Sequence, residues 1–196
     1  MRDPVRDPVL VGELNPYGDR PFFALFDDPP NSAGGRMRRL VTGLPPRTYR
    51  SLHRHNLCVG SWSIREARAK AVLLKDHYSS KEVGFVLLGR KVSLAFGLEK
   101  QAPFSQTIQD DFPMVILPHP SGLCRIWNEP GAFRRAQDIL RSVFPGLPWG
   151  GQALNENPSS LEDFVGQSSP QDLLMKKPEK DNPQGQSKGD SPSKPE

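Results

Sequence analysis

The chain has 196 residues, with 26 Lys+Arg against 22 Asp+Glu for a formal charge of +4, and 36% hydrophobic residues beside 17 Gly and 21 Pro. An ordinary domain carries roughly 45–50% apolar residues, so either the core is loop-rich or part of the chain has no core. No apolar run approaches the ~18 residues that span a bilayer, the start Met1-Arg2-Asp3-Pro4 has no apolar stretch behind its charge, and two cysteines, Cys58 and Cys124, cannot build a disulfide framework or a four-thiolate cluster. A reduced, cytoplasmic protein is expected, with no cofactor, no metal and no membrane partner.

In chain order, Val9-Leu-Val-Gly12 is a continuous apolar run that stops at Asn15-Pro16, the pattern of a strand buried on both faces. The segment Asn31-Ser-Ala-Gly-Gly35 reads as flexible and leads into the cationic Arg36-Met-Arg-Arg39, a candidate phosphate contact. A helix is predicted over Pro46 to Arg54, then a short strand at Asn56-Leu-Cys-Val59. Ala67, Ala71, Leu74 and Tyr78 recur at helical spacing and predict a helix over Ile64 to Tyr78. Gly84-Phe-Val-Leu-Leu88 before Gly89, and Met114-Val-Ile-Leu117 before Pro118, repeat the buried-strand pattern; Lys91 to Phe96 and Phe133 to Phe144 read as helices. Pro130 and Gly131 suit the start of that last helix and Pro145 its end. From about Gly150 the chain turns to Gln, Asn, Ser, Pro, Lys and Gly, a composition that cannot bury enough apolar area to order itself.

These elements predict an α/β protein: a three-layer α/β/α sandwich around a central, mainly parallel four-stranded sheet over residues 1–150, and a disordered polar tail over 151–196. Ligands of such sheets bind beyond the carboxyl ends of the strands. There the chain offers Gly12 to Gly18, Asn56, Gly89-Arg-Lys91 and Pro118 to Arg125. Over residues 1–150 it has no phosphate-loop lysine motif, no GxGxxG, no HExxH and no GxSxG nucleophile elbow. An amide, a histidine and the cations Arg20, Arg36, Arg38, Arg39, Arg90, Lys91 and Arg125 fit a phosphodiester substrate handled through charge and hydrogen bonds.

Gly12-Glu13-Leu14-Asn15-Pro16-Tyr17 resembles the Gly-x-(Asp/Asn)-Pro loop after the first strand of the uracil-DNA glycosylase superfamily. His119-Pro120-Ser121-Gly122-Leu123-Cys124-Arg125 is similar to that family's His/Asn-Pro-Ser-x-Leu loop after the last strand, and Val86 to Gly97 to the strand–Gly–helix before it. The resemblance covers about residues 9 to 144. It implies a DNA partner with a damaged or mismatched base, in double or single strands, a monomer, and extrusion of the base followed by hydrolysis of its N-glycosidic bond.

By that resemblance, Asn15 places the attacking water; Glu13, close by in the sequence, is an alternative base. His119 donates a hydrogen bond to the leaving base, and Ser121 and Gly122 approach a phosphate. Leu123 wedges the duplex beside Arg125, Phe23 or its neighbour Phe22 stacks on the base, Tyr17 excludes a thymine methyl, and Asn56 reads the base edge, or else caps a turn or strand. Asn15 in place of Asp, and Gly18-Asp19-Arg20 in place of the His of the fastest members, imply a slow or selective enzyme. Two other readings stay open: a module that binds a modified or damaged base without excising it, and a phage-type enzyme that modifies a flipped pyrimidine. In a bacterial cell the protein is expected at the nucleoid.

Overall fold

The apolar runs become the central strands, because a strand covered on both faces needs no polar alternation. A computed structural model describes residues 7–15 and 24–150. Its strands are β1 (Asp7–Asn15), β2 (His53–Val59), β3 (Val83–Leu88), β4 (Ser105–Gln109) and β5 (Phe112–Leu117), in the order β2-β1-β3-β5-β4. β1 lies parallel to both β2 and β3, and β3 parallel to β5, while β4 runs antiparallel along β5.

Successive residues of the buried strands point to opposite faces and build two cores. Val9, Val11, Phe85, Leu87, Met114 and Ile116 pack beneath α3 (Ile64–Tyr78) and α4 (Arg90–Ala95). Leu10, Val86, Leu88, Val115 and Leu117 pack on the other face, beneath α5 (Ala132–Val143) and the segment of α1 (Ala33–Arg36), a π-helical stretch over Met37–Thr42, and α2 (Pro46–Ser51). The architecture is therefore the expected three-layer α/β sandwich. Among the described residues no helix is long and apolar enough to cross a membrane.

Three expectations need correction. The sheet has five strands, not four: β4, Ser-Gln-Thr-Ile-Gln, is polar because it is an edge strand with one wet side, and its Ile108 is 75% exposed. The Gly34-Gly35 pair opens a helix. Ser32 caps it by accepting the Gly35 N–H at 3.0 Å, and the glycines are needed because the backbone of Leu25, Phe26, Pro29 and Pro30 leaves no room for a Cβ. Asn56 lies inside β2, opposite Gly12, rather than at the start of its strand or beyond its carboxyl end, since β2 begins three residues earlier at His53. The tail expected over 151–196 lies outside the described residues.

α3 starts at a capping-box sequence, Ser63-Ile-Arg-Glu66, with the Ser63 hydroxyl accepting the Glu66 N–H. Its far end carries Tyr78, whose ring meets Phe85 edge-on at 5.9 Å and whose hydroxyl lies 3.0 Å from His55 Nε2. Desolvation, aided by Lys70, His53 and His77, pushes the His55 pKa down to about 4 from its model-peptide 6.5. Below pH 6.5 the unfolded chain therefore takes up a proton that the folded chain refuses until about pH 4, and stability falls as pH drops through that window. Because the ring is part-exposed and screened, the expected loss between pH 7 and 4.5 is about 1–2 kcal/mol by urea unfolding. His55→Gln should flatten that part of the slope; an unchanged slope would place the titration elsewhere.

Candidate functional site

The chain leaves β1 for β2 on one side of the sheet and returns through α3 to β3 on the other, so the strand order reverses between β1 and β3. Crevices at such switch points are where α/β sheets bind ligands. Gly89 ends β3 there with φ of 100°, a backbone geometry open to glycine, and donates its N–H to Leu117 O at 2.8 Å. α4 begins at the next residue, which brings Lys91 over the end of β1: its Nζ stands 3.3 Å from Glu13 Oε2 and 5.5 Å above the Trp62 ring centre. A Cβ on Gly89 would lie 3.0 Å from Glu13 Oε1 and 3.1 Å from His119 Cβ. Glu13, Lys91 and His119, from three elements, thus meet above one bare glycine.

His119 sits between Pro118 and Pro120, both buried, at the exit of β5. The turn that follows brings the Ser121 N–H to His119 Nδ1 at 3.3 Å. Burial lowers the His119 pKa, Lys91 adds to that, and Glu13 opposes it. A neutral imidazole whose Nδ1 accepts carries its proton on Nε2, so the ring is a fixed hydrogen-bond donor. A cleft of about 470 Å³, lined by Ser93, Leu98, Ile116 and Cys124 among others, opens beside the same ring and Gly89.

Two side chains brace this loop, one from eight residues downstream and one from the opposite half of the chain. Trp127 Nε1 donates to His119 O at 2.8 Å, and Arg36 Nε donates to Pro120 O at 3.0 Å. Trp127 is itself fixed by stacking on Phe133 at 5.2 Å and meeting Phe104 edge-on. Arg36→Ala is expected to cost about 1–3 kcal/mol in urea unfolding, the range for a charge-assisted hydrogen bond, and to shift the His119 ring ¹⁵N resonances. Unmoved resonances would show that Trp127 suffices to hold the loop.

The remaining site residues are placed as follows. Asn15 ends β1 opposite Val59; its side chain, together with Tyr17, Phe22 and Phe23, lies outside the described residues. Asn56 holds a buried Oδ1 with no hydrogen-bond partner, seated where a Cβ on Gly12 would collide with it. Asn56 is therefore an unsatisfied acceptor next to the strand position before Glu13. Ser121 shapes the turn through its backbone, Gly122 has open space around it, and Leu123 is 93% exposed. Arg125 is exposed and starts a 3₁₀ turn, Arg125–Asn128.

The arginine cluster at 36–39 turns inward. Arg36 holds Pro120, Arg38 Nε pairs with Asp27 at 3.2 Å, and Arg39 donates to Pro30 O at 3.0 Å. None of these bonds is legible in the run of charges, because each partner is set by the fold. No protein-family model matches the chain, and no curated protein matches it. Its chemistry is therefore read from the residues: a neutral donor, a carboxylate and a cation around a small opening, beside an exposed apolar loop tip. Such a set can stabilise negative charge growing on a substrate oxygen and accept a proton nearby.

Proposed function

We propose that the protein is a DNA glycosylase that extrudes a uracil or a related deaminated or mismatched base and hydrolyses its N-glycosidic bond, in keeping with the resemblance of its two loops to the uracil-DNA glycosylase superfamily. The observation that carries this reading is His119, a neutral Nε2–H donor on the same loop as the exposed Leu123. As the bond to the sugar breaks, negative charge moves onto the base, and a pre-oriented donor stabilises it without reorganisation. A charged imidazolium would bind any anion; a neutral one discriminates the developing oxyanion from the resting carbonyl.

The other roles follow the flipped nucleotide. Leu123 fills the gap it leaves, Arg125 with the backbone of Ser121 and Gly122 meets the phosphates, Asn56 offers its amide to the base edge, Phe23 stacks, Tyr17 excludes a methyl and Asn15 orients water. The protein acts as a monomer, without a cofactor, on DNA in the cytoplasm, at the nucleoid in a bacterium. The test is a panel of duplexes and single strands carrying uracil, G·U, G·T or a deaminated purine, scored for binding and for alkali-labile breaks. Breaks on at least one substrate are expected; binding without breaks would favour a non-catalytic reader of modified DNA.

A further inference from the structure

Resting on that reading, we propose that Glu13, with Lys91 as its positioning partner, takes the proton from the attacking water. An amide cannot do so, and the Glu13 carboxylate borders the same gap above Gly89 as His119. Its side chain is only 17% exposed at the strand end where β1 and β3 diverge. Oε2 faces Lys91 Nζ at 3.3 Å, and Oε1 lies 3.0 Å from the empty Cβ position of Gly89, which is 3.5 Å from His119 Cδ2. One carboxylate oxygen is thus spent on the lysine and the other borders the same gap as the imidazole.

A plain salt bridge does not account for this placement. Lys91 is 53% exposed, and pairs with one partner in solvent contribute about 0–1 kcal/mol, too little to offset drawing a carboxylate down beside a histidine. The loop's spacing points the same way: two residues, Glu13 and Leu14, separate Gly12 from Asn15, against one in Gly-x-(Asp/Asn)-Pro. Aligning Asn15-Pro16 with that motif sets Glu13 where the motif has glycine, so this chain adds an acid to the loop that also substitutes an amide.

The step balances as a hydrolysis. Water oxygen bonds to C1′ while Glu13 accepts one of its protons. The C1′–N bond breaks with its electron pair passing to the base, whose oxygen accepts the His119 Nε2–H hydrogen bond. Glu13 returns its proton to the departed base through solvent, and the products are free base and an abasic sugar.

The test is single-turnover excision by the full chain on whichever duplex of the panel is cleaved. Glu13→Gln is expected to slow it by about 100-fold or more, and Glu13→Asp, which keeps a shorter carboxylate, by about tenfold, the scale of a lost general base. Binding to the same duplex carrying an uncleavable 2′-fluoro nucleotide is expected to stay within about threefold for both variants, since proton transfer is made only in the transition state. A Glu13→Gln rate within about threefold of wild type, or equal rates for the two variants, overturns the role of Glu13 while the glycosylase stands. A wild-type chain that cleaves no duplex overturns the glycosylase and Glu13 together.

Discussion

His119→Ala is expected to slow base release by about 100- to 1,000-fold, the usual effect of removing one pre-oriented donor to a developing oxyanion, with affinity for the uncleavable duplex nearly unchanged. The separation of rate from affinity follows from where the imidazole acts. Ser121 N–H fixes Nδ1 as an acceptor, burial favours the neutral ring, and the one remaining proton sits on Nε2. A neutral donor gains most when charge builds on its partner, so the ground-state complex loses little when it is removed. Single-turnover kinetics with a fluorescent duplex measure both quantities in one series. A parallel loss of rate and binding would instead mean that His119 shapes the loop, and Arg36→Ala would then reproduce the effect.

The largest expected stability effect is at Asp27. Its side chain is 2% exposed and receives two arginines, Arg50 Nε at 2.9 Å and Arg38 Nε at 3.2 Å. Asp27→Ala should cost about 3–5 kcal/mol in urea unfolding, because it leaves the part-buried Arg38 without its counter-charge. Arg50→Ala should cost about 1 kcal/mol or less, since that side chain is 53% exposed and solvent replaces the pair. The asymmetry distinguishes a buried anchor from a surface network; equal losses would contradict it. Asp27 also fixes the segment that continues through α1 to Arg36 and so to Pro120, which ties the stability of residues 24–42 to the loop carrying His119. The Arg36 and Asp27 effects should therefore be coupled rather than additive in a double-mutant cycle.

β1, β3 and β5 were legible because each is covered on both faces and shows an unbroken apolar run, and α3 because Ala67, Ala71, Leu74 and Tyr78 repeat at helical spacing. β4 escaped detection: an edge strand of Ser, Thr and Gln has no apolar signature, and its pairing with β5 supplies what its composition lacks. α1 was hidden by Gly34 and Gly35, which serve close approach to the 25–30 backbone rather than freedom of the chain. In the site, His119 to Leu123 could be singled out because they are contiguous. The Glu13–Lys91 pair and the Arg36–Pro120 brace could not, since each joins residues far apart in the chain that the sheet brings together, and the Trp127–His119 brace depends on how the turn after β5 folds. Asn56 was legible as a residue of interest, but β2 begins three residues before it, at His53, because pairing with β1 extends the strand past its apolar segment.

Hydrolysis of the carbon–nitrogen bond is decided by mass spectrometry of both products after incubating the purified chain with a uracil-containing duplex. Free uracil and a strand carrying an abasic deoxyribose are expected, both lost in His119→Ala. A strand of unchanged mass with every base in the panel, or a strand whose base has gained mass while still joined to its sugar, would contradict hydrolysis.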